Sequence, residues 1–196
     1  VGAIRVLRSL EQAVLGGADD LQRITREALQ DLAAHQVRYA ELFWNPTGTV
    51  RDAGIGYAQA QQAIVRGLHE AQQAFGIVGR LVPAIDREAS PDAAVEMVRW
   101  MIEHRADEVV GLGIDYREVD RPPELFAQAY ALARAAGFRT TAHAGEFGMP
   151  WTNVRTAVDV IDPPDLGDDV REIARAIVER RAPPQTGANV SGAPDA

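Results

Sequence analysis

Residues 140–146 read TTAHAGE, and this stretch ends an apolar segment with a histidine and a glutamate. Gly145 allows the chain to turn between His143 and Glu146, so a strand ending here sets an imidazole beside a carboxyl group. At the mouth of a sheet or barrel, that pair suits metal-assisted acid/base chemistry. The alternative interpretation is structural: a strand-end histidine that donates to a backbone carbonyl, followed by a surface glutamate.

The same strand-like pattern precedes this stretch three times. Four short β-rich runs are predicted at residues 37–43, 77–85, 108–114 and 138–143. Apolar spacing predicts helices at 19–35 and 57–75, after the cap Ser90-Pro91, after Pro122-Pro123, and at 152–161 and 168–181. Asn45-Pro46-Thr47-Gly48, which follows the first strand, is interpreted as a turn.

One amphipathic helix in each gap between strands predicts an α/β fold of about four parallel strands with right-handed crossovers. A barrel and a doubly wound sheet both satisfy this rhythm. No G-x-G-x-x-G follows any of the strands, which disfavours a dinucleotide-binding fold. With 196 residues, the chain is shorter than the roughly 250 residues of a complete (β/α)8 TIM barrel.

Composition excludes several kinds of chemistry. The chain has no cysteine, so thiolate nucleophiles, disulfides and cysteine-ligated zinc are ruled out. All 20 of its basic side chains are arginine, which rules out a Schiff-base lysine and the lysine of a phosphate-binding P-loop. The metal ligands that remain are histidine, aspartate and glutamate.

Charge and hydropathy indicate the class of partner. A formal net charge of −8 argues against nucleic acid and against an anionic membrane as the main partner. The sequence contains no apolar run of 18 residues and no charged-then-apolar leader, so a cytoplasmic location is expected. A small molecule is the expected partner.

Three runs of the sequence resemble a known family. The runs TTAHAGE at 140–146, GLGIDYRE at 111–118 and YAELFWNP at 39–46 look like the adenosine deaminase family of zinc-dependent α/β-barrel hydrolases. The resemblance covers roughly residues 19–161. Phe43 occupies a place where classical members often have arginine, so the chain looks nearer to bacterial adenosine/adenine deaminase-like members.

The resemblance implies roles for individual residues. His143 would be a zinc ligand, and Glu146 would be the acid/base that protonates a purine ring nitrogen, as adenosine is converted to inosine and ammonia. For that role Glu146 should hold a proton in an apolar pocket. Asp115 would be the family's strand-end aspartate and bind substrate, although a helix-cap or turn acceptor is the alternative there. Glu118 stands where the family usually has a glycine whose backbone touches the purine, and it is also assigned to substrate binding.

The resemblance further implies that this chain is one part of a barrel, truncated at both ends. The family's His-x-His zinc pair would lie before residue 1, and no histidine follows His143. Residues 1–181 are therefore interpreted as an incomplete barrel domain and residues 182–196 as a disordered tail. One zinc ion would bind if the missing ligands were supplied.

Three functional hypotheses follow. The chain is a zinc-dependent deaminase of adenosine or a related aminopurine, or a non-catalytic pseudoenzyme or purine-binding fragment, or one half of a split enzyme. In the last case a complementing chain or a homo-oligomer completes it, because open strand edges favour association. His35, His69 and His104 lie on predicted helices facing away from a barrel mouth and are assigned structural roles.

Overall fold

The structure is a computed structural model that describes residues 15–146, 148–150 and 152–161. Its helices and strands alternate along the chain as α1 Ala18–Ala34, β1 Tyr39–Trp44, α2 Pro46–Ala53, α3 Tyr57–Phe75, β2 Val78–Asp86, α4 Pro91–Glu103, β3 Gly111–Asp115, a 3-10 helix Pro123–Phe126, α5 Ala127–Ala135, β4 Arg139–Thr140 and α6 Thr152–Ile161.

The four strands form one parallel sheet in the order β1-β2-β3-β4. Neighbours in the sheet are therefore neighbours in sequence, and the carboxyl ends of all four strands lie at one edge. This is the arrangement of successive units in an α/β barrel, and it confirms the predicted fold class.

The two faces of the sheet differ. The helices cover one face, where Leu81, Ile85, Leu112 and Ile114 are buried in the hydrophobic core. The other face is exposed along β1, where Tyr39 and Phe43 are 53% and 42% exposed, and buried along β2 at Val82 and Ala84. Side chains alternate between faces along a strand, so the odd-numbered positions of β1 point to this second face.

Helix starts follow from local sequence, including one that sequence reasoning missed. Ser90 caps α4, because its Oγ accepts a hydrogen bond from the Ala93 amide at 3.2 Å and Pro91 occupies the first turn, as predicted. Asn45 caps α2 in the same way, with its Oδ1 2.8 Å from the Gly48 amide. The segment that was interpreted as a turn is thus a helix start, since asparagine and proline favour both.

The last strand is shorter than predicted. Only Arg139 and Thr140 of the predicted 138–143 form a ladder with β3. The Thr141 amide still donates to Leu112 O at 2.9 Å, so the chain continues alongside β3 towards His143. The predicted helix at 168–181 and tail at 182–196 lie outside the described residues. None of the described helices combines the length and apolarity needed to cross a membrane.

Candidate active site

The carboxyl edge of the sheet brings the predicted residues Asp115 and His143 together. Asp115 ends β3, where it is paired with Asp86 at the end of β2, and His143 follows β4 at the same edge. Parallel α/β folds collect their functional side chains at this edge.

The His143 ring is anchored through one nitrogen. Its Nδ1 lies 2.8 Å from the carbonyl oxygen of Ile114 and 3.1 Å from Oδ1 of Asp115. A carbonyl only accepts hydrogen bonds, so Nδ1 is a donor here, and in the neutral ring Nε2 is the nitrogen with the lone pair. The side chain is 47% exposed. The hydrogen bond of the structural interpretation is therefore present, and it is also the arrangement that prepares a histidine to bind a metal through its other nitrogen.

Asp115 orients this imidazole. Burial raises the pKa of the Asp115 carboxyl above its usual value, and the neighbouring His143 opposes that rise. The next residue, Tyr116, has a left-handed backbone with φ of 70°, which turns the chain sharply out of β3. Asp115 thus has a defined partner in His143. Its assignment to substrate binding stays a prediction.

Phe43 forms an apolar wall against the histidine. The two ring centroids are 5.3 Å apart with planes tilted by 51°. The phenyl ring lies over β3 at Gly113, where an added Cβ would come within 2.4 Å of Phe43 Cε1. The absence of a side chain at 113 therefore lets Phe43 reach His143.

The turn after His143 requires glycine. Gly145 has φ of 75°, and a Cβ at this position would lie 2.7 Å from Cγ2 of Val154 on α6. An L-residue at position 145 would be destabilised by the left-handed backbone, and its Cβ would displace Val154 on α6.

The buried carboxylate of Glu118, a residue only 2% exposed, binds the backbone of this turn. Its Oε1 accepts from the Gly145 amide at 3.0 Å and from Asn153 Nδ2 at 2.8 Å, and its Oε2 accepts from the Glu146 amide at 2.9 Å. The side chain predicted to bind substrate is thus engaged with the protein backbone.

Arg87, which follows β2, is fully buried beneath the same turn. Its Nη2 donates to the His143 carbonyl and its Nη1 to Arg121 O at 3.2 Å, while Nη1 lies 3.8 Å from Oε1 of Glu118. Burial lowers its pKa, and the Glu118 charge opposes that change. Sequence reasoning missed this residue, although an arginine directly after a strand-ending aspartate was a signal for a buried charge at the edge.

Glu146 completes the predicted set. Its amide is held by Glu118, and its side chain is exposed. The apolar pocket expected around this carboxyl group is not built by the described residues.

The metal-binding capacity of the described chain is partial. No group of three or more histidine, aspartate or glutamate side chains suited to a metal ion occurs among these residues. His143 has the ring orientation and exposure of a single ligand, and other ligands would have to come from outside the described part.

The other histidines have partners away from the carboxyl edge of the sheet. His35 Nδ1 lies 2.9 Å from Asp31 O, and His69 Nε2 lies 2.6 Å from Oε1 of Glu108. His104 stacks on Tyr57 with centroids 5.9 Å apart. These contacts support the structural roles predicted for them.

Comparison with known proteins identifies relatives that match most of the chain. The family model described as Adenosine deaminase matches residues 4–181. An adenine deaminase of Rhodospirillum rubrum is 35% identical over 175 residues, which cover 86% of this chain and 50% of that protein. The chain spans about half the length of the curated relatives it matches.

Two solved structures share the fold. An amidohydrolase from Burkholderia ambifaria with bound Zn is 64% identical, with a TM-score of 0.81 over 83% of this chain and 45% of that one. The adenine deaminase of Arthrobacter aurescens is 29% identical, with a TM-score of 0.78 over 90% of this chain and 55% of that one.

Proposed function

The chain belongs to the adenosine deaminase family, and on that premise we propose that it contributes a zinc ligand and an acid/base residue to the hydrolytic deamination of an aminopurine. Water replaces the exocyclic amino group, so the products are an oxopurine and ammonia. The metal, when bound, would activate that water and polarise the reacting carbon.

The observation that carries this proposal is the state of His143. Its Nδ1 is directed to Ile114 O and Asp115, which leaves Nε2 of a half-exposed side chain as the nitrogen available to a metal at the edge where α/β sites form. Metal-ligating histidines are usually oriented through a carboxylate or carbonyl in this way. His143 therefore supplies one ligand of the proposed zinc site.

Glu146 is proposed as the proton donor. It lies three residues after His143, and its backbone is fixed by Glu118 at 2.9 Å. A carboxyl group at that position would deliver a proton to a purine ring nitrogen as water adds to the neighbouring carbon. The resulting carboxylate would then accept the proton of the added hydroxyl and pass it to the leaving amino group, as the carbon becomes a carbonyl. Asp115, which already orients His143, would contact the substrate beside it.

Adenine is the first substrate to test, and adenosine the second. The relatives that support this order are themselves named adenine deaminases. Conversion of adenosine to inosine, the reaction implied by the family resemblance, remains a proposal on the same site.

A second candidate is a half-site that needs a complementing chain. It is favoured by the absence of a group of three metal ligands among the described residues and by the exposed aromatic side chains of Tyr39 and Phe43 on β1. In this case the chain alone neither binds zinc tightly nor turns over purines, because catalytic zinc normally requires about three protein ligands.

The test uses the chain alone and the chain mixed with the segment of the Burkholderia ambifaria amidohydrolase that it does not match. Ultraviolet absorbance follows adenine and adenosine loss, and metal analysis measures zinc. We expect zinc uptake and turnover only in the mixture, and loss of turnover, but not of zinc, in Glu146→Gln. Glu108→Gln, at the other end of β3, is the matched control and should behave as wild type.

Two results decide between the candidates. Turnover by the chain alone that Glu146→Gln abolishes would show that no complementing chain is needed. Zinc uptake and purine binding by the mixture without turnover would support a non-catalytic role and reject the deaminase.

A further inference from the structure

Three donors converge on one carboxylate beneath the turn that carries Glu146. The backbone amides of Gly145 and Glu146 reach the two oxygens of Glu118 at 3.0 and 2.9 Å, and the side-chain amide of Asn153 reaches Oε1 at 2.8 Å. Glu118 lies on the segment after β3, whereas its donors come from the turn after β4 and from α6. The Glu118 side chain thus connects the segment after β3, the turn after β4 and α6.

The two backbone donors belong to consecutive residues. Successive amides point towards one anion when the chain passes through a left-handed residue, and Gly145 has that conformation with φ of 75°. The Glu118 carboxylate therefore occupies the concave side of the turn as an internal anion. It fixes the peptide planes on both sides of the Gly145 Cα.

The other end of the turn is held by Arg87, which donates to the carbonyl of His143. Arg87 and Glu118 are both buried and form an ion pair at 3.8 Å. The backbone between the histidine and the glutamate is thus held at its carbonyl end by a cation and at its amide end by an anion.

We propose that Glu118 is a positioning residue for Glu146: its buried carboxylate sets the backbone of Gly145 and Glu146, and so the direction in which the Glu146 side chain leaves the turn relative to His143. This inference rests on the proposed function, in which Glu146 transfers the proton. It also reassigns Glu118, whose side chain was predicted to contact substrate.

Packing alone does not account for this choice of side chain. Removing a carboxylate from water is costly, and an apolar side chain of similar size is often equally stable at a buried position. Charged acceptors form shorter and stronger hydrogen bonds than neutral ones. A buried carboxylate is therefore suited to holding two particular amides.

The test measures the backbone amides of Gly145 and Glu146 by NMR in the chain. Glu118→Gln keeps the size of the side chain but offers one acceptor oxygen and an NH2 group in place of two acceptors. We expect one of the two amide signals to move upfield and its hydrogen exchange to accelerate roughly 10-fold or more. Core amides such as that of Leu112 should keep their exchange rates.

Two further variants bracket this result. Asn153→Ala removes the third donor and leaves both backbone hydrogen bonds, so the Gly145 and Glu146 amides should change less than threefold in exchange rate, far less than in Glu118→Gln. Glu108→Gln makes the same chemical change at the amino end of β3, where the carboxylate contacts His69, and should leave both signals in place.

The inference is overturned if Glu118→Gln leaves both amides unchanged, or if it accelerates exchange equally throughout the core, which would indicate a general structural role. Failure of the deaminase proposal gives a different pattern: the amides respond as expected, yet the complemented chain has no turnover. In a complemented chain with turnover, Glu118→Gln should lower kcat more than it raises KM.

Discussion

The two ends of the sheet differ in how far their ionisable side chains are buried. At the amino end, charged side chains stay in contact with water: His69 pairs with Glu108 while 53% exposed, and Arg105 stacks on Phe138 from an exposed position at 4.6 Å. At the carboxyl end, Asp86, Arg87 and Glu118 are 1%, 0% and 2% exposed. Among the described residues, these three are the charged side chains that are fully buried.

The difference in burial distinguishes exposed charges, which contribute little to stability, from buried charges, which indicate a functional site. Exposed pairs add little to stability and are easily replaced, whereas buried charges require desolvation and close partners. A fold does not need these features to close its core, so they mark the edge where a site is assembled.

The largest expected effect comes from Arg87→Met, which removes the buried cation. Glu118 and the carbonyls of His143 and Arg121 would lose their partner, and we expect the free energy of unfolding to fall by about 3–5 kcal/mol. Denaturant unfolding measures it. Arg23→Met, which removes an exposed arginine from α1, is the control and should leave the unfolding midpoint nearly unchanged. Equal losses in the two variants would remove the distinction between buried and exposed charge.

Gly145→Ala is expected to rank second. The left-handed backbone contributes about 1–2 kcal/mol and the contact with Val154 adds about 1–3 kcal/mol. Gly54→Ala is the matched control, because Gly54 has φ of 66° with no atom within 4 Å of its added Cβ, and it should lose only the first part. Adding Val154→Ala to Gly145→Ala should recover part of the stability that is lost through the contact with Val154. Identical losses at both glycines would show that α6 does not constrain the turn.

Gly113→Ala should have a smaller effect on stability and a clear effect on the site. The new methyl group would push the half-exposed Phe43 ring away from β3, at a cost of about 1 kcal/mol, the low end of the range for overpacking. The ring protons of His143, 5.3 Å away, should shift in the NMR spectrum. In the Phe43→Ala background, Gly113→Ala should no longer lower the stability, because the ring that it displaces is absent. Unchanged His143 signals would mean that Phe43 does not form a wall of the site.

Glu108→Gln tests the amino end and should have the smallest effect. The carboxylate pairs with an exposed histidine, so we expect a loss of less than about 1 kcal/mol in denaturant unfolding. The reverse order, with this loss exceeding that of Arg87→Met, would contradict the comparison of the two ends.

The fold was predictable from sequence because its signals are local. The apolar stripes of α1 and α3 and the cap at Ser90 depend on residues a few positions apart, and the observed elements begin within a few residues of the predicted ones. The exceptions were also local. Asn45-Pro46 carries a signal shared by turns and helix starts, and the ladder of β4 ends at Thr140 although the next amide still donates to β3.

The sequence likewise predicts the residues of the candidate site: a histidine and a glutamate around a glycine at the end of one strand, and an aspartate at the end of the preceding one. Their partners were not. Glu118 and Arg87 lie 27 and 56 residues from Gly145 and His143, the backbone groups they bind. No periodicity or motif records a contact between segments so far apart. Only the parallel sheet, by bringing the ends of β2, β3 and β4 to one edge, decides that a buried arginine and a buried glutamate hold the turn that carries His143 and Glu146.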